Sequence, residues 1–169
     1  MLKEIGGFLV KNVNPDAIIE LHESEASPWI EVNPVHLTDI FESLRHSENH
    51  FFDFLNSITG VHLINENKFS IVYHLTSIPF NKSITLKVFI NVKNAICPTI
   101  SEIHKGADWH EREIFDLFGI TFTGHKNLKR ILLPDDWVGH PLRKDYQTEE
   151  FYKGIKIDYE NSDKPSDIF

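Results

Sequence analysis

The chain has 169 residues, a formal net charge of −8 and a single cysteine, Cys97, with 41% hydrophobic residues. Residues 1–50 hold three Lys/Arg against nine Asp/Glu; this acidic first third serves solubility and argues against a direct nucleic-acid or anionic-lipid partner, both of which need a basic patch. One thiol excludes an internal disulfide and cannot alone ligate an iron–sulfur cluster or a structural zinc; it reads as a buried structural cysteine.

In chain order, residues 2–11 suit a short helix weakened by Gly6-Gly7 and ended by Asn14-Pro15. The N-terminal apolar stretch is short and contains Glu4, which does not fit a signal peptide. No apolar run approaches the roughly 18 residues of a membrane span. Ala17–Leu21 and Trp29–Val32 suit short strands. Asn33-Pro34 marks a helix start, with Asn33 as cap and Pro34 at the first helical position. Leu37, Ile40, Phe41 and Leu44 then form one apolar stripe. Phe52–Ile58 suits a strand, and Asn65-Glu66-Asn67 a turn into Phe69–Thr76, where Phe69, Ile71, Tyr73 and Leu75 alternate. In Ser83–Val92, Ile84, Leu86, Val88, Ile90 and Val92 face one way. Alternation of this kind gives one buried and one wet face, as in antiparallel sheets. The fold expected is therefore α+β: a two-layer, mostly antiparallel sheet with helices on one face and an irregular C-terminal extension. Residues 1–150 form a single domain and 151–169 a polar extension.

The segment richest in information begins at Asp108. Asp108 and Glu111 suggest a capping box, and Gly119 a C-terminal cap. His110, Ile114, Leu117 and Phe118 share the arc expected to face the core. Trp109, Arg112 and Asp116, flanked by Glu113, share the other, with Arg112 and Asp116 as an i, i+4 pair. Trp beside Arg is what interface hot spots favour; a surface helix with a half-covered Trp is the plainer alternative. Beyond the helix, Trp137, Pro141 and Leu142 are costly to leave in a free loop, whether a second chain covers them or the loop packs back on its own domain.

Glu111-Arg112-Glu113, Asp116, His125, Lys129 and Ile131-Leu132, with Asp108-Trp109 before and Gly139-His140-Pro141-Leu142-Arg143-Lys144-Asp145 after, resemble the signature of the complex I C-type (30-kDa) family. The specific part covers residues 107–146. Lys126 stands where relatives often have Pro. The resemblance implies a structural subunit of the peripheral, cytoplasmic-side arm of a proton-translocating NADH:quinone oxidoreductase. It implies packing against the D-type subunit near the B- and I-type subunits, membrane contact only through the complex, and FMN, iron–sulfur clusters, NADH and quinone in or between other subunits. No catalytic, cofactor or metal residue is expected in this chain. The interface residues expected are Trp109, Arg112, Glu113, Asp116, His125, Arg130, Trp137, His140, Arg143, Lys144 and Asp145, the arginines supplying charge-assisted hydrogen bonds.

Three other readings are open to the sequence. The homologous subunit of a membrane-bound [NiFe] hydrogenase or F420H2 dehydrogenase would share the module. A metal-dependent hydrolase could use His104, His110 and Glu113, although their spacing departs from the i, i+4 histidine pair of catalytic zinc helices. A free adaptor domain would be stable alone. No Gly-rich phosphate loop, nucleotide fingerprint or nucleophile elbow is present.

Overall fold

The computed structural model describes residues 1–24, 26–149 and 151–156. Helix α1 (Leu2–Asn12) is followed by strands β1 (Ile18–His22) and β2 (Trp29–Val32), helix α2 (Leu37–His46), and three ten-residue strands: β3 (Phe54–Leu63), β4 (Lys68–Ser77) and β5 (Lys82–Asn91). Strand β6 (Ile96–Pro98), helix α3 (Ala107–Phe118) and strand β7 (Thr121–Thr123) come next. An arm without regular structure leads to a short hairpin of β8 (Phe151–Tyr152) and β9 (Ile155–Lys156). Of the expected polar extension, residues 157–169 lie outside the described residues.

The five-stranded sheet runs β1-β2-β5-β4-β3. All its pairs are antiparallel except β2 with β5, where Ile30 sits opposite Leu86. The parallel pair arises because α2, β3 and β4 are all threaded between β2 and β5; a parallel neighbour needs a long crossover. The alternating residues of β4 and β5 behave as expected: Phe69, Ile71, Tyr73, Leu75, Ile84, Leu86, Val88 and Ile90 are buried. They join one core with Leu2, Ile5 and Leu9 of α1, the α2 stripe, and Ile114 and Phe118 of α3. The helices therefore cover one sheet face, which is the two-layer α+β arrangement.

Several local expectations shift. Asn33 does cap, accepting from the Val35 amide at 3.0 Å, but it opens a 3-10 turn over Pro34–His36 before α2. The third strand starts two residues late and runs to Leu63. Val92 leaves the sheet for a 3-10 turn. Residues 94–106 contain β6, which pairs in parallel with β7 across α3. Helix α3 is capped by Gly106 without a side-chain bond, so the Asp108/Glu111 capping box does not form. Gly119 does end the helix, at φ 74° with its amide on the Phe115 carbonyl.

Gly60 sets how closely α3 rides on β3. A Cβ built there would lie 2.9 Å from Phe118 Cδ2. The Phe118 ring is 8% exposed and in contact with Phe69, so it has little room to retreat. Gly60→Ala is expected to destabilise the chain by about 1–3 kcal/mol through overpacking. A thermal melt equal to that of the unsubstituted chain would show that α3 can lift off freely.

Candidate functional site: a buried carboxylate anchor for the C-terminal arm

The charged side of α3 points inward. Arg112 and Asp116 are buried, Asp116 completely, while Trp109 alone is 63% exposed. This corrects the outward placement of that arc: residues 128–146 of the same chain cover it. The pairing is corrected too. Arg112 lies 3.9 Å from Asp108 and donates through Nε to the Lys129 carbonyl at 3.2 Å, with its guanidinium 4.9 Å from the Trp109 ring centroid. Asp116 pairs with Arg130 instead.

The Asp116 carboxylate organises the arm. Oδ2 accepts the amides of Ile131, Leu132 and Leu133 at 3.0, 2.8 and 2.9 Å, and Oδ1 accepts Arg130 Nη1 at 2.7 Å. Three successive amides turned towards one anion form a backbone nest. Burial pushes the Asp116 carboxyl up. The amides of Leu133 and Leu132, the Arg130 guanidinium and the Ile131 amide outweigh it, holding the group below the ordinary carboxylate range. Arg130 Nη2 donates onward to the carbonyls of Trp137 and Gly139 at 3.2 and 3.1 Å. One planar guanidinium thus ties the end of α3 to two parts of the arm, a fork geometry that Lys lacks.

The rest of the arm is fastened along its length. His140 Nδ1 donates to the Asp116 carbonyl at 2.8 Å, and its ring lies where a Gly119 side chain would be, 2.6 Å from the built Cβ. The Leu142 amide bonds the Leu117 carbonyl at 3.0 Å. The Lys144 amide donates to Nδ1 of the buried His62 at 3.0 Å. Arg143 binds Asp145 bidentately at 3.0 and 3.1 Å, and lies 5.4 Å from the Phe69 ring centroid. The Arg143 guanidinium holds the Asp145 carboxyl below its usual range.

On the other side of α3, Glu111 is fully buried. Its carboxylate accepts the Ile100 amide at 2.8 Å and the Thr99 hydroxyl. Burial raises its pKa to about 7. His125, with no exposed side-chain surface, takes the Asn127 amide on Nδ1 at 3.1 Å, leaving Nε2 to face Asp108 at 3.3 Å and Glu111 at 3.9 Å. Cys97 is buried as expected, its thiol pushed up to about 12 by desolvation beside the Tyr73 hydroxyl.

Asp116, Arg130, His140, Arg143, Lys144 and Asp145 thus meet along one strap; Arg112 and His125 hold its beginning. Trp137 contributes its carbonyl, and its ring sits 5.2 Å from Tyr152. Glu113 stands apart, exposed. Sequence reasoning gave Glu111 no inward role. The spacing Ala107, Glu111, Ile114, Phe118 held a signal, a carboxylate inside an otherwise apolar helical stripe. His104, His110 and Glu113 do not gather. His104 packs edge-on against Phe41, its pKa lowered to about 4 by desolvation, and His110 lies half-buried one turn before Glu113. Among the described residues, the one set of three ligand atoms close enough for a metal is Glu20, His22 and Glu31 on the β1–β2 hairpin.

Sheet, helix and strap define a class: a two-layer α+β domain that carries an arm fastened to its own surface by a buried carboxylate. The family model described as respiratory-chain NADH dehydrogenase, 30 Kd subunit, matches residues 30–152. The chain belongs to that family. It is 43% identical over 132 residues to the C-type subunit of the NADH-quinone oxidoreductase of Roseiflexus castenholzii, covering 78% of this chain and 76% of that one. It is 37% identical over 161 residues to the corresponding C-type polypeptide of Chloroherpeton thalassium, covering 92% of this chain and 65% of the relative. Among solved structures it is similar to a chain of the membrane-bound sulfane sulfur reductase, an archaeal respiratory membrane complex. The TM-score is 0.70 at 23% identity, with 86% of this chain and 84% of that one covered, a likeness of fold. No helix among the described residues is long and apolar enough to cross a membrane.

Proposed function

We propose that the chain is a non-catalytic structural subunit in the quinone module of a proton-translocating NADH:quinone oxidoreductase, docked mainly on the D-type subunit with B- and I-type subunits nearby. The observation that carries this reading is the strap itself. An arm without regular structure is fastened by hydrogen bonds to the buried Asp116 and His62 while Leu132, Val138 and Leu142, like Trp109 on α3, remain exposed. Apolar side chains fixed in solvent in this way suit a partner surface. Asp116, Arg130 and His140 then act by shaping the docking surface from within. Arg143 and Asp145, partly open to solvent, can also meet the partner.

Electron transfer belongs to other chains in this reading. The single thiol, buried and raised to about 12, does not fit an iron–sulfur ligand set. FMN, clusters, NADH and quinone lie in or between other subunits. The chain sits on the cytoplasmic side, reaching the membrane through its partners.

The test is an affinity pull-down of the tagged chain from membranes in mild detergent. Recovery of flavin- and cluster-bearing subunits with NADH:quinone activity supports the reading; hydrogenase subunits would move it to a sister complex. Recovery of the chain alone would overturn it. Arg143→Ala is expected to lower the amount of assembled complex several-fold with per-complex turnover nearly unchanged, because it loosens the strap near its Asp145 end. Normal assembly with slow turnover, read by native gel and activity per flavin, would contradict this.

A further inference from the structure

We infer that strand β3 accepts an extended segment of another polypeptide as a sixth strand, seated beside α3; this rests on the proposal that the chain works as a subunit. β3 is an edge of the sheet, paired only with β4. Its ten residues, FLNSITGVHL, contain no Asp, Glu, Lys, Arg or Pro. Among the described residues, no backbone–backbone hydrogen bond outside the β3–β4 ladder reaches it, and the strap meets it through the Lys144 amide on the His62 ring. Phe54 and Val61 are exposed along it. Natural sheets blunt such edges with charges, proline, bulges or brevity, because unpaired N–H and C=O groups template further pairing. The opposite edge follows that rule: β1 has five residues, carries Glu20 and His22, and bulges between Ile18 and Glu20. β3 has its own bulge between Leu55 and Ser57, which leaves Ser57–Leu63 as a regular run.

A cleft of about 260 Å³ lies alongside this run. Four consecutive residues, Ser57 to Gly60, line it. Successive side chains point to opposite sheet faces. A space bordered by all four therefore follows the backbone edge itself. Its other wall is α3, with Leu117 offering apolar surface and Glu113 a carboxylate at the rim, and Leu142 of the strap adjoins it. This is the geometry of strand addition, where the main chain supplies affinity and a pocket for alternate side chains supplies specificity.

The chemistry of the occupant follows. One of its side chains enters the cleft and is apolar; a neighbouring one, facing Glu113, is Lys or Arg. A basic segment also complements a chain of net charge −8. A second copy of this chain fits poorly, since it brings a second net charge of −8 and an edge strand with no cation to meet Glu113.

The test is amide hydrogen exchange on the full chain, alone and in the affinity-purified complex, with a photo-crosslinker at Thr59 (Thr59→p-benzoylphenylalanine). On assembly, amides of residues 57–63 that face outwards should slow by about tenfold or more. The crosslink should map to an apolar–basic segment of a different polypeptide. Unchanged exchange in an intact complex overturns the inference alone, and a crosslink to a second copy overturns the choice of occupant. If no complex is recovered, the subunit reading fails and the inference falls with it.

Discussion

Asp116→Ala lowers stability by about 3–5 kcal/mol, the usual cost of removing one partner from a buried ion pair, and loosens residues 128–142. The carboxylate takes four donors at once, three of them successive amides of the arm. Removing it leaves those amides and the Arg130 guanidinium facing an apolar gap beside a helix end. They regain partners only by moving into water, which means releasing the arm. Asp116→Asn separates charge from shape: one carbonyl oxygen can still accept, but the new NH2 faces donors. It should lose less than Ala and more than a surface substitution. The readouts are the urea midpoint and amide exchange at Ile131, Leu132 and Leu133. Exchange there should accelerate far more than in β4 and β5, which do not touch the carboxylate. A variant with a lower midpoint but unchanged exchange at 131–133 would mean that Asp116 supports the core and not the arm.

The contrast between α3 and the central strands shows what the sequence discloses. β4 and β5 are legible because their alternation is local: each apolar residue reports its own face, and neighbouring strands supply the partner. The α2 stripe is legible for the same reason. α3 misleads because a helical wheel assigns polar side chains to solvent. Asp116 meets donors 14–17 residues further on, and nothing within the helix announces them. The motif positions themselves were visible as spaced residues, but spacing does not say whether Arg130 turns to a partner or to Asp116. The parallel β2–β5 pair was hidden because its crossover spans α2, β3 and β4. β6 and β7 were hidden because three residues are too few to show a period.

Glu111 should make the chain less stable as pH rises through neutrality. Its folded pKa, about 7, lies above the ordinary 4.5 because burial disfavours the charged form. Between those values the folded chain holds a proton that the unfolded chain has lost. The linkage slope from this group is then negative: the Glu111 contribution is full below pH 4.5 and is lost as pH rises through 7. A displacement of this size corresponds to about 3 kcal/mol. The proton suits the site, because one protonated carboxyl can keep the Ile100 amide on its carbonyl oxygen and donate to Thr99. Glu111→Gln reproduces that uncharged arrangement, so it should flatten the decline between about pH 5 and 8 and match or exceed the parent at about pH 8. Glu111→Ala should flatten the decline too, but from a lower level, because the Ile100 amide loses its acceptor. Urea unfolding at half-unit pH steps separates the cases. If Glu111→Gln keeps the parent's slope, the ionising group lies elsewhere; if it is the less stable chain at the alkaline end, the charge at Glu111 is stabilising and the burial argument has the wrong sign.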